Sequence, residues 1–148
     1  MALYDDEMRK CEAKYAEASQ AYEKAADAYR RNSPVEGEKY LSEAKQYEKE
    51  AEGYFKNAKA DLQKLGNEGN AHLDNSDAAY RNKNNKLGDS ERQLGYDKIN
   101  EYDRKYKEFD RRNDNARLDA NSSRINAENQ KNSWQNRINQ EHNNGYGR

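Results

Sequence analysis

Tyrosine recurs every seven residues near the start of the chain, and alanine recurs every seven residues between the tyrosines. In the stretch YAEASQAYEKAADAY, Tyr15, Tyr22 and Tyr29 alternate with Ala18 and Ala25. A strict average period of 3.5 residues keeps one face of a helix against a partner helix, whereas a lone amphipathic helix tolerates drift. The pattern therefore predicts a helix that packs along its length against another helix.

Three segments of the chain carry this alternation of three- and four-residue steps, and we call these positions the seam. Alanine in a seam allows two helix backbones to approach closely, while a tyrosine ring supplies rigid apolar area and keeps its hydroxyl at the edge. We predict that the seam forms a helix–helix or subunit interface, and both meanings stay open. The seam consists of Tyr4, Met8, Cys11, Tyr15, Ala18, Tyr22, Ala25 and Tyr29; Tyr40, Ala44, Tyr47, Ala51, Tyr54 and Ala58; and Ile99, Tyr102, Tyr106 and Phe109.

The stretch RRNSPVEG predicts a tight turn between the first two helices. Asn32 suits the left-handed position that ends a helix, and Ser33 suits the cap of the next one. Pro34, the only proline, fits the first helical position, and Glu36 completes a capping box. The order of tyrosine and alanine steps inverts after this turn, so we predict an antiparallel helical hairpin.

A second turn is predicted near residue 66, because Gly66, Gly69 and two asparagines in KLGNEGN interrupt the pattern. The chain then changes character, since asparagine becomes frequent and aliphatic residues become rare. We therefore predict two parts, an antiparallel helical hairpin in 1–66 and a polar, Asn-rich helical region in 67–148.

The polar region is predicted to contain one further break. In KLGDSERQLG, Gly88 suits the end of a helix, and Asp89 or Ser90 suits the cap of the next. Asparagine is a poor helix former, so residues 114–148 are expected to fold only against a neighbour and to fray at HNNGYGR. Apolar residues spaced by seven support a helix before this tail: Leu73, Tyr80, Leu87 and Leu94.

Composition favours helices over a thick globular core. Leu, Ile, Val and Phe account for 14 of 148 residues, which is few for a packed domain. A disordered chain usually has a large net charge, whereas here 27 basic residues meet 28 acidic ones. Dense, balanced charge is typical of solvated helix faces. We predict an all-α, coiled-coil-like, elongated protein.

Residue patterns of known catalytic or metal-binding sites are absent from the sequence. Cys11 is the only cysteine, and as a seam residue it is expected to be a small buried hydrophobe. His72 and His142 lie far apart and outside any metal-ligand spacing. We therefore expect no enzyme activity, no cofactor and no bound metal.

The first ten residues, MALYDDEMRK, have acidic residues where a signal peptide would be basic, and no apolar stretch approaches the length of a membrane span. The default expectation is a cytoplasmic protein without membrane insertion. Export without a leader, or a place in a virion, would fit the same sequence.

Three classes of function fit these features. The first is a structural subunit that assembles with itself, because one tyrosine–alanine seam buries little apolar area and a partner could supply more. The second is a helical adaptor or scaffold that docks on a different protein. The third, binding of single-stranded nucleic acid with Trp134 stacking on bases, is least expected because the charge is balanced.

Overall fold

A computed structural model describes the backbone of residues 3–146 and the side chains of residues 3–143. It contains three α-helices: α1, Leu3–Arg30; α2, Pro34–Arg81; and α3, Asn85–Tyr146. No strand occurs within residues 3–146. The all-α class predicted from the sequence is confirmed.

The first turn has the predicted chemistry. Asn32 takes a left-handed conformation with φ of 60°, and α2 begins at Pro34. The Asn32 amide bonds to Tyr29 O at 3.1 Å, and the Ser33 amide bonds to Ala28 O at 2.8 Å. These two hydrogen bonds form a Schellman motif, which satisfies carbonyls that the end of α1 would otherwise leave unpaired.

The predicted end of the second helix near residue 66 is wrong, since α2 continues to Arg81. Gly66 and Gly69 are buried helical residues that face α3. A Cβ on Gly66 would lie 3.3 Å from the ring of Tyr102, and one on Gly69 would lie 2.7 Å from Ile99 Cγ1. Glycine occurs here because neighbouring groups occupy the space of a side chain, not because the helix ends.

The predicted break at Gly88 is also misplaced, because the second turn consists of residues 82–84 and Gly88 lies inside α3. Lys83 adopts the left-handed conformation with φ of 63°. Its amide bonds to Tyr80 O at 3.0 Å, which repeats the arrangement of the first turn. Asn84, rather than Asp89 or Ser90, caps the next helix, since its Oδ1 accepts from the Leu87 amide at 3.2 Å.

Contacts divide the chain into two compact units, and each helix contributes to both. Unit 1 comprises residues 3–9 and 54–112, and unit 2 comprises residues 10–53 and 113–146. The contact units differ from the division at residue 66 that composition suggested.

In unit 2, α1 and α2 lie side by side with opposite chain directions. Tyr29 donates a hydrogen bond to Glu38, and Lys14 forms an ion pair with Glu50 at 3.1 Å, so residue numbers fall in α2 as they rise in α1. The polar tail of α3 packs on this pair, with Ala120 and Ala127 buried. The neighbour that this tail was expected to need is therefore its own chain.

In unit 1, α2 and α3 form a second antiparallel pair. Tyr102 donates to Gln63 Oε1 at 3.2 Å, and Lys98 pairs with Glu68 at 3.0 Å. The start of α1 packs on α3, where Tyr4 donates to Glu101 Oε1 at 2.9 Å.

Candidate functional site

The α1 seam is used within the folded chain. Met8, Cys11, Tyr15, Ala18, Tyr22, Ala25 and Tyr29 are buried, and Tyr4 is half-buried. Cys11 Sγ lies 3.6 Å from Asn113 Oδ1, so the thiol has a polar partner inside unit 2. The tyrosines of this helix therefore face neighbours of the same chain.

The α2 seam shows a different balance between its alanines and its tyrosines. Ala44, Ala51 and Ala58 are fully buried, whereas Tyr40, Tyr47 and Tyr54 are half-buried. Lys14 lies over the ring of Tyr47, 5.3 Å from its centroid, and Lys24 lies 5.8 Å from the centroid of Tyr40. A cation over the ring shields its apolar face while remaining hydrated. Tyrosine suits such edge positions better than leucine because its hydroxyl can form a hydrogen bond at the edge of the seam.

The α3 seam lies in unit 1, and its side chains differ in how much of their surface is exposed. Phe109 is fully buried and its ring packs on that of Tyr4, with centroids 5.9 Å apart. Ile99 and Tyr102 are half-buried, while Tyr106 is 37% exposed. The Lys59 ammonium lies 4.7 Å from the Tyr106 ring centroid and forms an ion pair with Asp110 at 3.3 Å.

Burial, helped by neighbouring carboxylates, raises the pKa of the four tyrosines in the α1 seam. Burial, with the hydrogen bond to Glu101, raises the pKa of Tyr4 to about 12. Burial raises the pKa of Tyr15 to about 12. Burial, reinforced by Glu48 and Glu38 respectively, also raises the pKa of Tyr22 and of Tyr29. Each phenol is therefore held in its neutral form.

A motif that we did not predict occurs at both turns. Tyr29 lies against Gly37 and donates to the adjacent Glu38, and Tyr80 lies against Gly88 and donates to the adjacent Asp89. A Cβ on either glycine would lie 2.6 Å from the tyrosine ring. The sequence signal is Ala-Tyr-Arg followed, seven residues after the arginine, by Gly and an acid. This spacing places the ring over the first turn of the next helix.

The turn in unit 2 has an additional cover from α3. The Trp134 ring packs on Tyr29 with centroids 5.6 Å apart, and its Nε1 donates to Asn32 Oδ1 at 2.6 Å. Arg137 donates to Tyr29 O at 3.2 Å. The indole expected to stack on bases in a nucleic-acid binder is thus occupied in packing against the turn.

A pair of apolar residues on α3 in unit 2 remains exposed after these contacts are made. Leu118 and Ile125 are 57% and 47% exposed. They are seven residues apart, so they lie on one face of the helix, which is opposite the face carrying the buried Ala120 and Ala127. Within the described residues, this face therefore stays about half exposed.

A second pair occurs on α3 in unit 1. Leu87 and Leu94 were predicted to lie on one helix face by their spacing of seven, and they are 47% and 44% exposed. Their partners in the predicted repeat, Leu73 and Tyr80, are half-buried. Single exposed apolar residues are common on protein surfaces, whereas α3 carries two exposed pairs at heptad spacing.

A surface groove on α3 in unit 1 is lined by charged residues. This groove, about 650 Å³ in volume, has Arg104, Lys107, Glu108 and Arg111 of unit 1 in its lining. His72 contacts Glu91, and His142 is exposed on α3. Among the described side chains, no group of three or more His, Cys, Asp or Glu could hold a metal ion.

No protein-family model, no curated protein sequence and no solved structure significantly matches this chain. Over the described residues, none of the three helices has a stretch long and apolar enough to span a membrane.

Proposed function

We propose that this protein is a non-catalytic structural subunit, located in the cytoplasm, that assembles with copies of itself through its helix surfaces. The proposal concerns an assembly of folded chains, because the seam tyrosines of α1 are already buried within one chain. The surfaces available for assembly are therefore those that remain exposed after folding.

The observation that carries the proposal is the heptad-spaced apolar pairs on α3. Leu118 and Ile125 face away from the core of unit 2, and about half of the surface of each side chain stays exposed in the single chain. Burying apolar surface between subunits contributes about 25 cal/mol per Å². Homo-oligomers are the commonest assemblies of soluble proteins, so a second copy is the first partner to consider.

The experiment replaces Leu118 and Ile125 together by serine and compares the mass of particles in solution by light scattering over a range of concentrations. We expect the wild-type chain to form oligomers or filaments and the double variant to form smaller ones. Helical content by circular dichroism should be unchanged, since neither side chain supports the core of unit 2.

The matched control is Val35→Ser. Val35 is 83% exposed and lies near the start of α2, where the residue seven positions later in the same helix is the polar Ser42. This change should leave assembly unaffected. An equal loss of assembly in the control and the double variant would contradict the proposal, because general surface hydrophobicity would then be responsible.

A helical adaptor that docks on a different protein is the second candidate. The groove on α3 in unit 1 favours it, since Arg104, Lys107 and Arg111 lie on one face of the helix at spacings of three and four. None of these three cations forms an ion pair within the described part of the chain. Such a face suits an acidic partner. A pure chain that stays monomeric at every concentration would favour this candidate over self-assembly.

A further inference from the structure

In unit 1, the face of α3 that packs on the start of α1 continues towards the second turn, beyond its contact with Tyr4. Tyr4 contacts Glu101, which lies seven residues after Leu94 and fourteen after Leu87. Residues seven apart share a helix face. Leu87 and Leu94 therefore lie on the same face of α3 as Glu101, which α1 contacts. Nearly half of the surface of each leucine is exposed.

A comparison of the two turns identifies the same uncovered region. In unit 2, Trp134 and Arg137 of the third helix cover Tyr29 at the turn. In unit 1, the contacts of the equivalent Tyr80 come from α2 and α3 themselves, through Gly88 and Asp89. In unit 2 a third helix packs next to the turn. In unit 1, no described residue of a third helix packs at the equivalent position next to the α2–α3 turn.

Charge beside the two leucines indicates which occupant fits. One exposed stripe of α3, on the side away from α2, consists of Lys86, Ser90, Gln93 and Asp97. The stripe is positive at one end and negative at the other. Within the described residues, neither Lys86 nor Asp97 has an ion-pair partner. A second α3 packed in the antiparallel direction would place each Lys86 next to the other copy's Asp97, whereas a parallel copy would align like charges.

We propose that the Leu87–Leu94 face binds the same face of a second copy of this chain, antiparallel, around a two-fold axis next to Ser90. Leu87 of each copy then packs on Leu94 of the other, and two Lys86–Asp97 ion pairs flank the contact. The interface is isologous, so one surface serves both partners. This inference rests on the proposed self-assembly and specifies one of its contacts.

The first experiment places a cysteine near the proposed axis. Ser90→Cys should form a disulfide-linked dimer under mild oxidation, detected by intact mass under non-reducing conditions, because the two thiols would lie close together. The matched control is Asp103→Cys, an exposed position on a different face of α3 in unit 1. The native Cys11 is buried and should not react. Absence of the dimer in Ser90→Cys, or equal dimer in both variants, would overturn the proposal.

The second experiment exchanges the charges. Lys86→Glu and Asp97→Lys should each raise the dissociation constant of self-association about tenfold, because each creates two like-charge contacts. A mixture of the two variants should associate as tightly as the wild type, since both contacts in the mixed dimer are then attractive. A mixture as weak as either variant alone would contradict the antiparallel arrangement.

The outcomes separate this inference from the proposed function. Wild-type chains that assemble while Ser90→Cys forms no dimer would refute this contact and leave self-assembly standing. Wild-type chains that remain monomeric at all concentrations would refute both. Assembly reduced to a dimer by the serine changes at Leu118 and Ile125, with the Ser90→Cys disulfide still formed, would support this contact as one separate from the Leu118–Ile125 contact.

Discussion

Gly69→Ala tests whether close helix contact explains the glycines of α2. The new Cβ would lie 2.7 Å from Ile99 Cγ1, 3.0 Å from Gly95 O and 3.2 Å from Ile99 N. Two of these three atoms belong to the backbone of α3, so a change of rotamer cannot relieve them. The α2–α3 pair of unit 1 would have to separate locally.

The magnitude follows from two opposing effects. Alanine is better than glycine in a helix by roughly 1 kcal/mol. Overpacking a tight contact costs roughly 1–3 kcal/mol, and here the upper part of that range applies because backbone must move. We therefore expect Gly69→Ala to lower the free energy of unfolding by about 1–2 kcal/mol.

Gly53→Ala is the matched control, because Gly53 is also helical and a Cβ there would meet nothing within 4 Å. This change should raise the free energy of unfolding by roughly 0.5–1 kcal/mol. Urea unfolding of both variants, followed by circular dichroism at a helix band, measures the two effects. A Gly69→Ala variant as stable as Gly53→Ala would refute the reasoning, since the glycine would then have no role in packing.

Three further predictions concern the seam and the second turn. Replacing Tyr22 and Tyr47 together by Ala should cost roughly 3–5 kcal/mol for the buried Tyr22 and less for Tyr47, with loss of most helical signal at 25 °C; retained helicity and mass would contradict a structural seam. The contribution of Tyr15 to the free energy of unfolding should be fully present below pH 10 and fall between pH 10 and about 12. The reason is that Tyr15 keeps its proton in the folded chain up to its raised pKa, while the unfolded chain loses it. Equal urea midpoints at pH 9 and pH 11 would argue against this. Lys83→Gly should raise the free energy of unfolding by roughly 1 kcal/mol, since Lys83 has a φ of 63° that glycine adopts without strain, and a lower melting temperature would contradict this.

The sequence predicted helices and the first turn because both depend on local patterns. The heptads marked the helix faces, and Asn32, Ser33 and Pro34 each have a strong preference for the position they occupy. These signals act within a few residues, so they can be interpreted without knowledge of the packing.

The second turn was missed because its local signals were weak and misleading. Lys83 is an unusual residue for a left-handed position, whereas Gly66 and Gly69 resemble helix breakers. Their role is set by Tyr102 and Ile99, some thirty residues away, which a local pattern does not show. The signal that could have located the turn is the repeated Ala-Tyr-Arg with its later glycine and acid.

The packing of the tail was not predicted for a related reason. Its buried residues, such as Ala120 and Ala127, are small and separated by asparagines, so the sequence predicted that the segment folds only against a neighbour without identifying that neighbour. The partner that orders it, the α1–α2 pair of unit 2, is distant in sequence. The exposed pair Leu118 and Ile125 is visible as a heptad in the sequence, but only burial distinguishes it from a core pair.

Sedimentation equilibrium of the unmodified chain tests self-assembly most directly, because the mass of the chain is 17.3 kDa and any assembly must exceed it. We predict a mass that rises with protein concentration towards a multiple of this value. A single species of 17.3 kDa at every concentration would contradict the account.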